Sequence, residues 1–140
     1  MNRCVLDAST LAVALFRERH ARAARSLLSS GAELHAPDLL AAELANVIWK
    51  RHRRGEIDAG EARDLLADFQ ALPLLWASSP ELAETALELA LRTGRTVYDC
   101  LYIALAVRLG CAMVTADRRL ARGLSDTPLA EHVQWVGDMD

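Results

Sequence analysis

Two aspartates occupy positions where a carboxylate could do chemistry at the edge of a sheet. Asp7 follows the apolar run 4–6, and Asp117 comes just after the apolar run 112–115. Short apolar runs of this kind are typical of buried strands. In an open parallel sheet the ligand site lies beyond the carboxyl ends of the strands. We therefore expect both carboxylates at the same edge of one sheet.

Two further acids lie inside segments that are otherwise apolar. Glu43 belongs to the hydrophobic run 39–49, where Asn46 shares its helical face three residues later. Asp99 is the only charge in the run 97–107. An unpaired carboxylate is expensive to bury, so each acid must meet a cation, which could be an arginine or a metal ion. For either acid alone, attraction to the positive end of a helix is an alternative, but the four acids together favour one common site.

The chemical type of these side chains points to a particular class of metal ion. All of the candidate ligands offer oxygen, and none of them is a histidine or a cysteine. Hard oxygen ligands suit Mg²⁺ or Mn²⁺ and argue against zinc. Such ions can activate water and stabilise the leaving oxygen of a phosphodiester. We hypothesise a site held chiefly by Asp7, Asp99 and Asp117, which Glu43 completes directly or through water.

Hydroxyl groups stand next to both strand-end acids. Ser9 comes two residues after Asp7, and Thr115 comes two residues before Asp117. Ser9 could cap a helix and Thr115 could form a turn, or both could hold water bound to a metal. The sequence leaves these alternatives open.

The composition is that of an ordinary globular protein and fits one domain over residues 1–140. The chain is 52% hydrophobic and 25% charged, and its net charge is -3. No apolar run approaches the roughly 18 residues that cross a bilayer, and Asp7 interrupts any signal peptide, so we expect a cytoplasmic protein. The negative charge disfavours a protein that coats nucleic acid, but local charge decides whether a nuclease is possible.

Two clusters of cations could offset repulsion between an acidic site and a phosphate backbone. One comprises Lys50, Arg51, His52, Arg53 and Arg54, and the other comprises Arg118, Arg119 and Arg122. Such clusters are often no more than solvated helix faces. We hypothesise that Arg51, Arg53, Arg54, Arg118 and Arg119 contact the phosphate backbone of a nucleic acid.

The cysteines and histidines carry no recognisable motif. Cys4, Cys100 and Cys111 are widely spaced, never form C-x-x-C, and are expected to be small buried hydrophobic residues. The histidines show no pairing typical of a metal site and are expected to be structural or solvated. Neither a disulfide framework nor a zinc site is predicted.

Short apolar runs alternate with amphipathic helical stretches along the whole chain. Strands are predicted over 4–6, 33–36, 74–77, 112–115 and 133–136. Helices are predicted over 9–28, from an Asp38 cap to 54, over 58–71 behind an Asp58/Glu61 capping box, from a Ser79 cap to 93, over 98–109, and from 117. Strands separated by helical crossovers predict an α/β fold, a mainly parallel sheet with helices on both faces.

Four segments resemble the successive motifs of PIN-domain nucleases, and more narrowly those of VapC toxins from toxin–antitoxin pairs. They are Val5-Leu6-Asp7-Ala8-Ser9, Glu43 with Asn46, the run Tyr98-Asp99-Cys100-Leu101-Tyr102-Ile103-Ala104-Leu105-Ala106, and Thr115-Ala116-Asp117. Each motif alone is common, but all of them in order at fitting spacing are specific. The resemblance covers nearly the whole chain.

This resemblance implies a fold, an activity and partners. It implies a PIN-like parallel sheet flanked by helices and an endoribonuclease that depends on Mg²⁺ or Mn²⁺. The family's acidic metal-site positions match Asp7, Glu43, Asp99 and Asp117, and its supporting polar positions match Ser9, Asn46 and Thr115. It further implies a homodimer and a VapB-like antitoxin whose C-terminal segment covers the active site.

Three other functions compete with this interpretation. A phosphoacceptor signalling module would require a further acidic pair early in the chain and a lysine near the site, whereas Lys50 is the only lysine. A phosphatase with a D-x-D nucleophile would require an aspartate where Ser9 stands. A PIN-like module that binds RNA or protein without cleavage is the remaining alternative, and the intact acids argue against it.

Overall fold

The five apolar runs form the strands of one parallel sheet. In the computed structural model, which describes all residues 1–140, the strands are β1 (Arg3–Leu6), β2 (Glu33–Pro37), β3 (Leu74–Ala77), β4 (Ala112–Thr115) and β5 (Val133–Trp135). Their order is β3-β2-β1-β4-β5, and every neighbouring pair is parallel. Because β2 and β4 flank β1 on opposite sides, the crevice of this open sheet lies at the carboxyl end of β1. The α/β prediction is confirmed.

Seven α-helices connect the strands and flank the sheet. They are α1 (Ala8–Leu15), α2 (Ala21–Leu28), α3 (Leu39–Arg53), α4 (Ala59–Gln70), α5 (Ser79–Thr93), α6 (Val97–Leu109) and α7 (Arg118–Leu124), with short 3₁₀ turns at Ala130–His132 and Val136–Met139. No helix is both long enough and apolar enough to cross a membrane.

Helix α6 explains the most uniformly apolar segment of the sequence. Residues 100–106 are all buried, because α6 lies against β1, β2 and β4 on one side and packs along α5 on another. A helix enclosed on most sides carries apolar residues all around rather than in one stripe. Asp99 stands at the exposed end of this core helix and is thereby fixed relative to the sheet.

The predicted helix over residues 9–28 is wrong, because the structure divides it into α1 and α2. The chain between them turns through positive φ values of 53° at Arg17 and 71° at His20. The segment 17–19 is exposed, so no burial holds it helical. The turn lets α2 fold back against α1, and Ala24 and Leu27 are buried there.

One predicted helix cap, Ser79, is wrong, and another, Asp38, has the predicted position without the capping bond. Asp38 stands at the N-cap position of α3 but its carboxylate forms no capping bond there; it accepts hydrogen bonds from the backbone N–H and the hydroxyl of Ser79, at 3.1 Å and 2.5 Å. Ser79 is the first residue of α5 rather than its cap, and Ser78 precedes it without a capping hydrogen bond. The pair instead ties together the chain segments that follow the neighbouring strands β2 and β3. The Asp58/Glu61 capping box at the start of α4 is confirmed.

Candidate active site

All four predicted acids line one cavity at the carboxyl edge of the sheet. Leu6 pairs with Val114 across β1 and β4, so Asp7 and Asp117 leave neighbouring strands in the same direction. Glu43 reaches the cavity from the second turn of α3, and Asp99 from the first turn of α6. The cavity has a volume of about 140 Å³ and is lined by Asp7, Ala8, Ser9, Glu43, Asp99, Tyr102, Met113, Asp117 and Leu120.

Asp7 is a buried carboxylate whose two oxygens are both held. Its Oδ1 accepts the Ser9 hydroxyl at 2.7 Å and the Thr10 backbone N–H at 3.0 Å, so that Asp7 is itself the N-cap of α1. Its Oδ2 accepts the Thr115 hydroxyl at 2.6 Å. Asp7 is therefore fixed in one orientation by groups from both β1–α1 and β4.

This network shows which groups the two hydroxyls bond within the protein, and a role in holding metal-bound water stays a prediction. Ser9 is not a helix cap, because Asp7 occupies that position; its oxygen also accepts the Ala116 backbone N–H at 2.9 Å. Thr115 is buried, and its oxygen accepts the Asp117 backbone N–H at 3.0 Å. Each hydroxyl donates its single proton to Asp7 and accepts a backbone proton from the segment that follows β4.

Tyr102 is a member of the site that the sequence analysis missed. The residue is only 3% exposed, and its hydroxyl donates a hydrogen bond to Oε1 of Glu43. Burial and this bond to a carboxylate raise the pKa of Tyr102 well above its ordinary value, so the phenol stays protonated as the donor. The sequence carried a signal, because Tyr102 follows Asp99 by three residues and such pairs share a helix face.

Asp117 differs from the other acids in being exposed. Its Oδ1 accepts the backbone N–H of Leu120 at 3.1 Å and so caps α7. Only one oxygen is used in this way. The other remains available at the mouth of the cavity.

The carboxylates raise the proton affinity of one another. Burial is the largest cause of the raised pKa of Asp7, which the hydroxyls of Thr115 and Ser9 partly oppose. Burial also raises the pKa of Glu43, and the charges of Asp7 and Asp99 add to the effect. For Asp99, burial and the charge of Asp117 raise the pKa. No arginine or lysine lines the cavity, so a cation is the group that this set of side chains lacks.

Neutralising Glu43 tests this electrostatic picture in a metal-free buffer. The raised pKa of Glu43 lets the folded state keep its proton to higher pH than the unfolded chain does. The stabilisation that this raised pKa provides is thus present below the ordinary pKa of 4.5. It is lost as the pH rises through the pKa that Glu43 has in the folded protein. We expect Glu43→Gln to gain stability over the wild type as the pH rises from about 4 to about 8, as measured by urea denaturation with chelator. A difference independent of pH would contradict the raised pKa.

The donor set fits a hard divalent cation, although the side chains do not form a closed cage. No three of the His, Cys, Asp and Glu side chains lie close enough together, in the rotamers they adopt, to hold one ion jointly. Mg²⁺ keeps several of its waters and is usually bound through one or two carboxylates. The free oxygen of Asp117 and the carboxylate of Asp99 suit that mode of binding. The assignment of all four acids as ligands stays a prediction.

The remaining predicted residues lie outside the cavity. Asn46 is exposed on α3 and forms no side-chain hydrogen bond. Arg51 pairs with Glu18 at 2.5 Å and with Glu56 at 3.3 Å. Those ion pairs hold the Arg51 guanidinium against the protein rather than leaving it free for a ligand.

The other predicted RNA-binding arginines are exposed. Cζ of Arg53 lies 5.3 Å from the centre of the Trp49 ring, and Cζ of Arg118 lies 4.6 Å from the centre of the Trp135 ring. Arg54 and Arg119 are exposed at the end of α3 and at the start of α7. These four stay candidates for contact with a polyanion.

The position of this site, at the carboxyl end of β1 in a five-stranded parallel sheet, agrees with the family that the sequence matches. The model of the PIN domain matches residues 4–123, which include all four acids. The chain belongs to the PIN-domain family. Among curated relatives, this PIN-domain chain is 40% identical over 123 residues to Ribonuclease VapC3 of Pyrobaculum aerophilum, covering 85% of the chain and 92% of the relative. It is 34% identical over 127 residues to Ribonuclease VapC9 of Mycobacterium tuberculosis, covering 91% and 92%.

Solved structures share the fold. PAE2754 from Pyrobaculum aerophilum superposes with a TM-score of 0.72 at 26% identity, covering 98% of this PIN-domain chain and 85% of that chain. VapBC2 from Rickettsia felis, solved bound to a DNA fragment from its promoter, gives a TM-score of 0.65 at 14% identity, with coverage of 95% and 98%. The predicted PIN-like architecture is confirmed by these likenesses.

Proposed function

We propose that this protein is an endoribonuclease that depends on Mg²⁺ or Mn²⁺ and acts as the toxin of a toxin–antitoxin pair. The observation that carries the proposal is the convergence of Asp7, Glu43, Asp99 and Asp117 on one cavity without a cation of its own. Membership of the PIN-domain family and relatives named as VapC ribonucleases support RNA as the substrate.

Each acid of the site has a distinct part in this proposal. Asp99 and Asp117 would hold the ion at the open side of the cavity, and Asp7 would complete the negative site from its base. Bound there, Mg²⁺ or Mn²⁺ would lower the pKa of water and neutralise charge at the phosphate. Glu43 offers Oε2, the oxygen that Tyr102 leaves free, to accept a proton from the attacking water.

Cleavage of RNA by the purified protein tests the proposal. Structured and single-stranded RNAs are incubated with Mg²⁺, with Mn²⁺ and with chelator, and the products are resolved on denaturing gels. Cleavage that chelator abolishes is the expected result. If protein free of any antitoxin cuts none of several RNA classes, a PIN-like module that binds without cleavage becomes the better description.

The proposed partner is a VapB-like antitoxin, and the proposed assembly is a homodimer. The names of the relatives and the VapBC2 complex from Rickettsia felis support an antitoxin. An exposed apolar strip on α5, with Leu87 and Leu91 exposed by 49% and 71%, offers a surface for association. Co-expression with the antitoxin followed by light scattering would measure both stoichiometries.

The exposed arginines at the end of α3 should contribute to RNA affinity, whereas Arg51 should not. Replacing Arg53 or Arg54 with Ala is expected to weaken RNA binding and to lower the slope of log Kd against log salt by about 0.7 for each phosphate that is no longer neutralised. Arg51→Ala should leave that slope unchanged and lower the thermal stability, because its charge pairs with Glu18 and Glu56. Unchanged slopes in the Arg53 and Arg54 variants would mean that these side chains are solvated and do not contact RNA.

A further inference from the structure

Arg95 is a cation beside the acidic cavity, in a position that is open to it only because residue 123 is a glycine. It lies in the short connection between α5 and α6, four residues before Asp99. A Cβ atom added to Gly123 would lie 3.3 Å from Cζ of Arg95 and closer still to Nη2. The guanidinium therefore occupies the space that any other residue at position 123 of α7 would fill.

The backbone around Arg95 is fixed at both ends. Gly94 ends α5 in the left-handed region, with φ 73°, and the Arg95 N–H donates to the Thr93 hydroxyl at 3.1 Å. The next residue, Thr96, accepts the Asp99 N–H at 3.1 Å and caps α6. Arg95 thus leaves a rigid corner rather than a loop free to move.

The guanidinium is held but its charge is unpaired. Nη2 donates one hydrogen bond to the backbone oxygen of Arg119 at 3.1 Å, and no carboxylate forms an ion pair with it. Its charge lowers the pKa of Asp99, against the larger effects of burial and of Asp117. A guanidinium has five N–H donors, so most of them remain free for an anion.

We propose that Arg95, for which Gly123 leaves space and which the Arg119 backbone oxygen holds, binds a phosphate of the RNA next to the acidic cavity. This inference rests on the proposed ribonuclease function. A polyanion approaching four carboxylates meets repulsion, and a fixed, half-buried arginine that bridges the starts of α6 and α7 offsets it where the chain must pass. The planar fork of arginine suits phosphate, and the hydrogen bond to Arg119 that already restrains the side chain reduces the conformational entropy that binding removes.

The test exploits a substitution that displaces Arg95 without altering it. Gly123→Ala puts a methyl group where the guanidinium lies and forces the flexible side chain outwards. Alanine is also the better residue in a helix, so α7 should be no less stable. If Arg95 only tied α7 to the connection, Arg95→Ala would lower the melting temperature and Gly123→Ala would bind RNA normally.

Arg108→Ala is the control for loss of a cation that lies away from the cavity. Arg108 lies on the same helix as Asp99, and its guanidinium donates to the backbone oxygen of Glu81 at 3.1 Å and lies 3.9 Å from the Glu81 carboxylate. Its position in the last turn of α6 places it roughly 13 Å along the helix from Asp99. Its loss removes the same charge at a distance from the cavity.

Binding is measured by fluorescence anisotropy with a labelled single-stranded RNA, in chelator, with every protein carrying Asp117→Asn to prevent cleavage. We expect Arg95→Ala and Gly123→Ala to weaken binding roughly 10-fold and to lower the salt slope by about 0.7, with Arg108→Ala unchanged. Normal affinity and slope in Gly123→Ala and Arg95→Ala would overturn the inference. If both variants lose affinity but the protein without Asp117→Asn cleaves no RNA, the role of Arg95 in binding is supported and the proposed cleavage is contradicted.

Discussion

Asp99→Asn is expected to lower the rate of RNA cleavage at least about 100-fold while the protein stays folded. Several kcal/mol of transition-state stabilisation depend on a metal-binding carboxylate, and each 1.4 kcal/mol corresponds to about a factor of ten in rate. The measurement is the initial rate of cleavage with Mg²⁺ or Mn²⁺, beside a circular dichroism spectrum. Asp7→Asn should lose cleavage as well.

The stability of the Asp99→Asn variant follows from competing charges. Loss of the acid removes an attraction to the start of α6 worth about 0.3–1 kcal/mol. It also removes the repulsion from Asp117 and the burial of charge that together raise the pKa of Asp99. The raised pKa means that burial and repulsion outweigh the attraction to the helix start. The melting temperature of the variant should therefore be no lower than that of the wild type. Asp126→Asn, an exposed aspartate after α7, is the matched control and should leave both cleavage and melting unchanged. Full activity in Asp99→Asn and Asp7→Asn would contradict the assignment of the site.

Mg²⁺ or Mn²⁺ should stabilise the folded protein, and this effect should disappear when the acids are neutralised. A ligand that binds only the folded state adds about 2.7 kcal/mol to the free energy of unfolding at a concentration of about 100 Kd. For a domain of this size the melting temperature should rise by several degrees. The experiment is a thermal melt in which the divalent cation is titrated from zero, at constant ionic strength.

The variants separate a specific site from general screening of charge. A protein with both Asp99→Asn and Asp117→Asn should start with a higher melting temperature than the wild type in chelator and should gain little from the ion. Asp126→Asn should respond as the wild type does. An equal rise in all three proteins would mean that the ion acts on surface charge and that the cavity binds none.

The site was predictable where its residues stand out against their own neighbours. Asp7 and Asp117 end apolar strands, and Asp99 is the only charge in the apolar run that becomes α6. The cost of burying a lone carboxylate is a local property of such a run, so one sequence is enough to notice it. The parallel sheet followed from the alternation of strands and helices, and its order then brought the strand ends together.

Other features depended on neighbours that are distant along the chain. Asn46 shares a sequence spacing with Glu43 but is exposed, whereas Tyr102, from another helix, holds the Glu43 carboxylate. Asp38 had the pattern of a helix cap but is bonded to Ser79, because the segments after β2 and β3 meet at the edge of the sheet. Local sequence patterns indicate hydrogen-bond partners within about four residues. Tertiary packing can bring a distant residue close enough to form the bond instead.

By itself, the sequence determined the fold class, the strands and the choice of the four acids as candidate site residues. Strand and helix periodicity and the cost of a buried charge are properties of neighbouring residues and can be recognised along the chain. The tertiary structure decided the break between α1 and α2, the hydroxyls that orient Asp7, the tyrosine that holds Glu43, and the place of Arg95 over Gly123. Each of these depends on the position of atoms from separate elements, which is fixed only when the helices pack on the sheet.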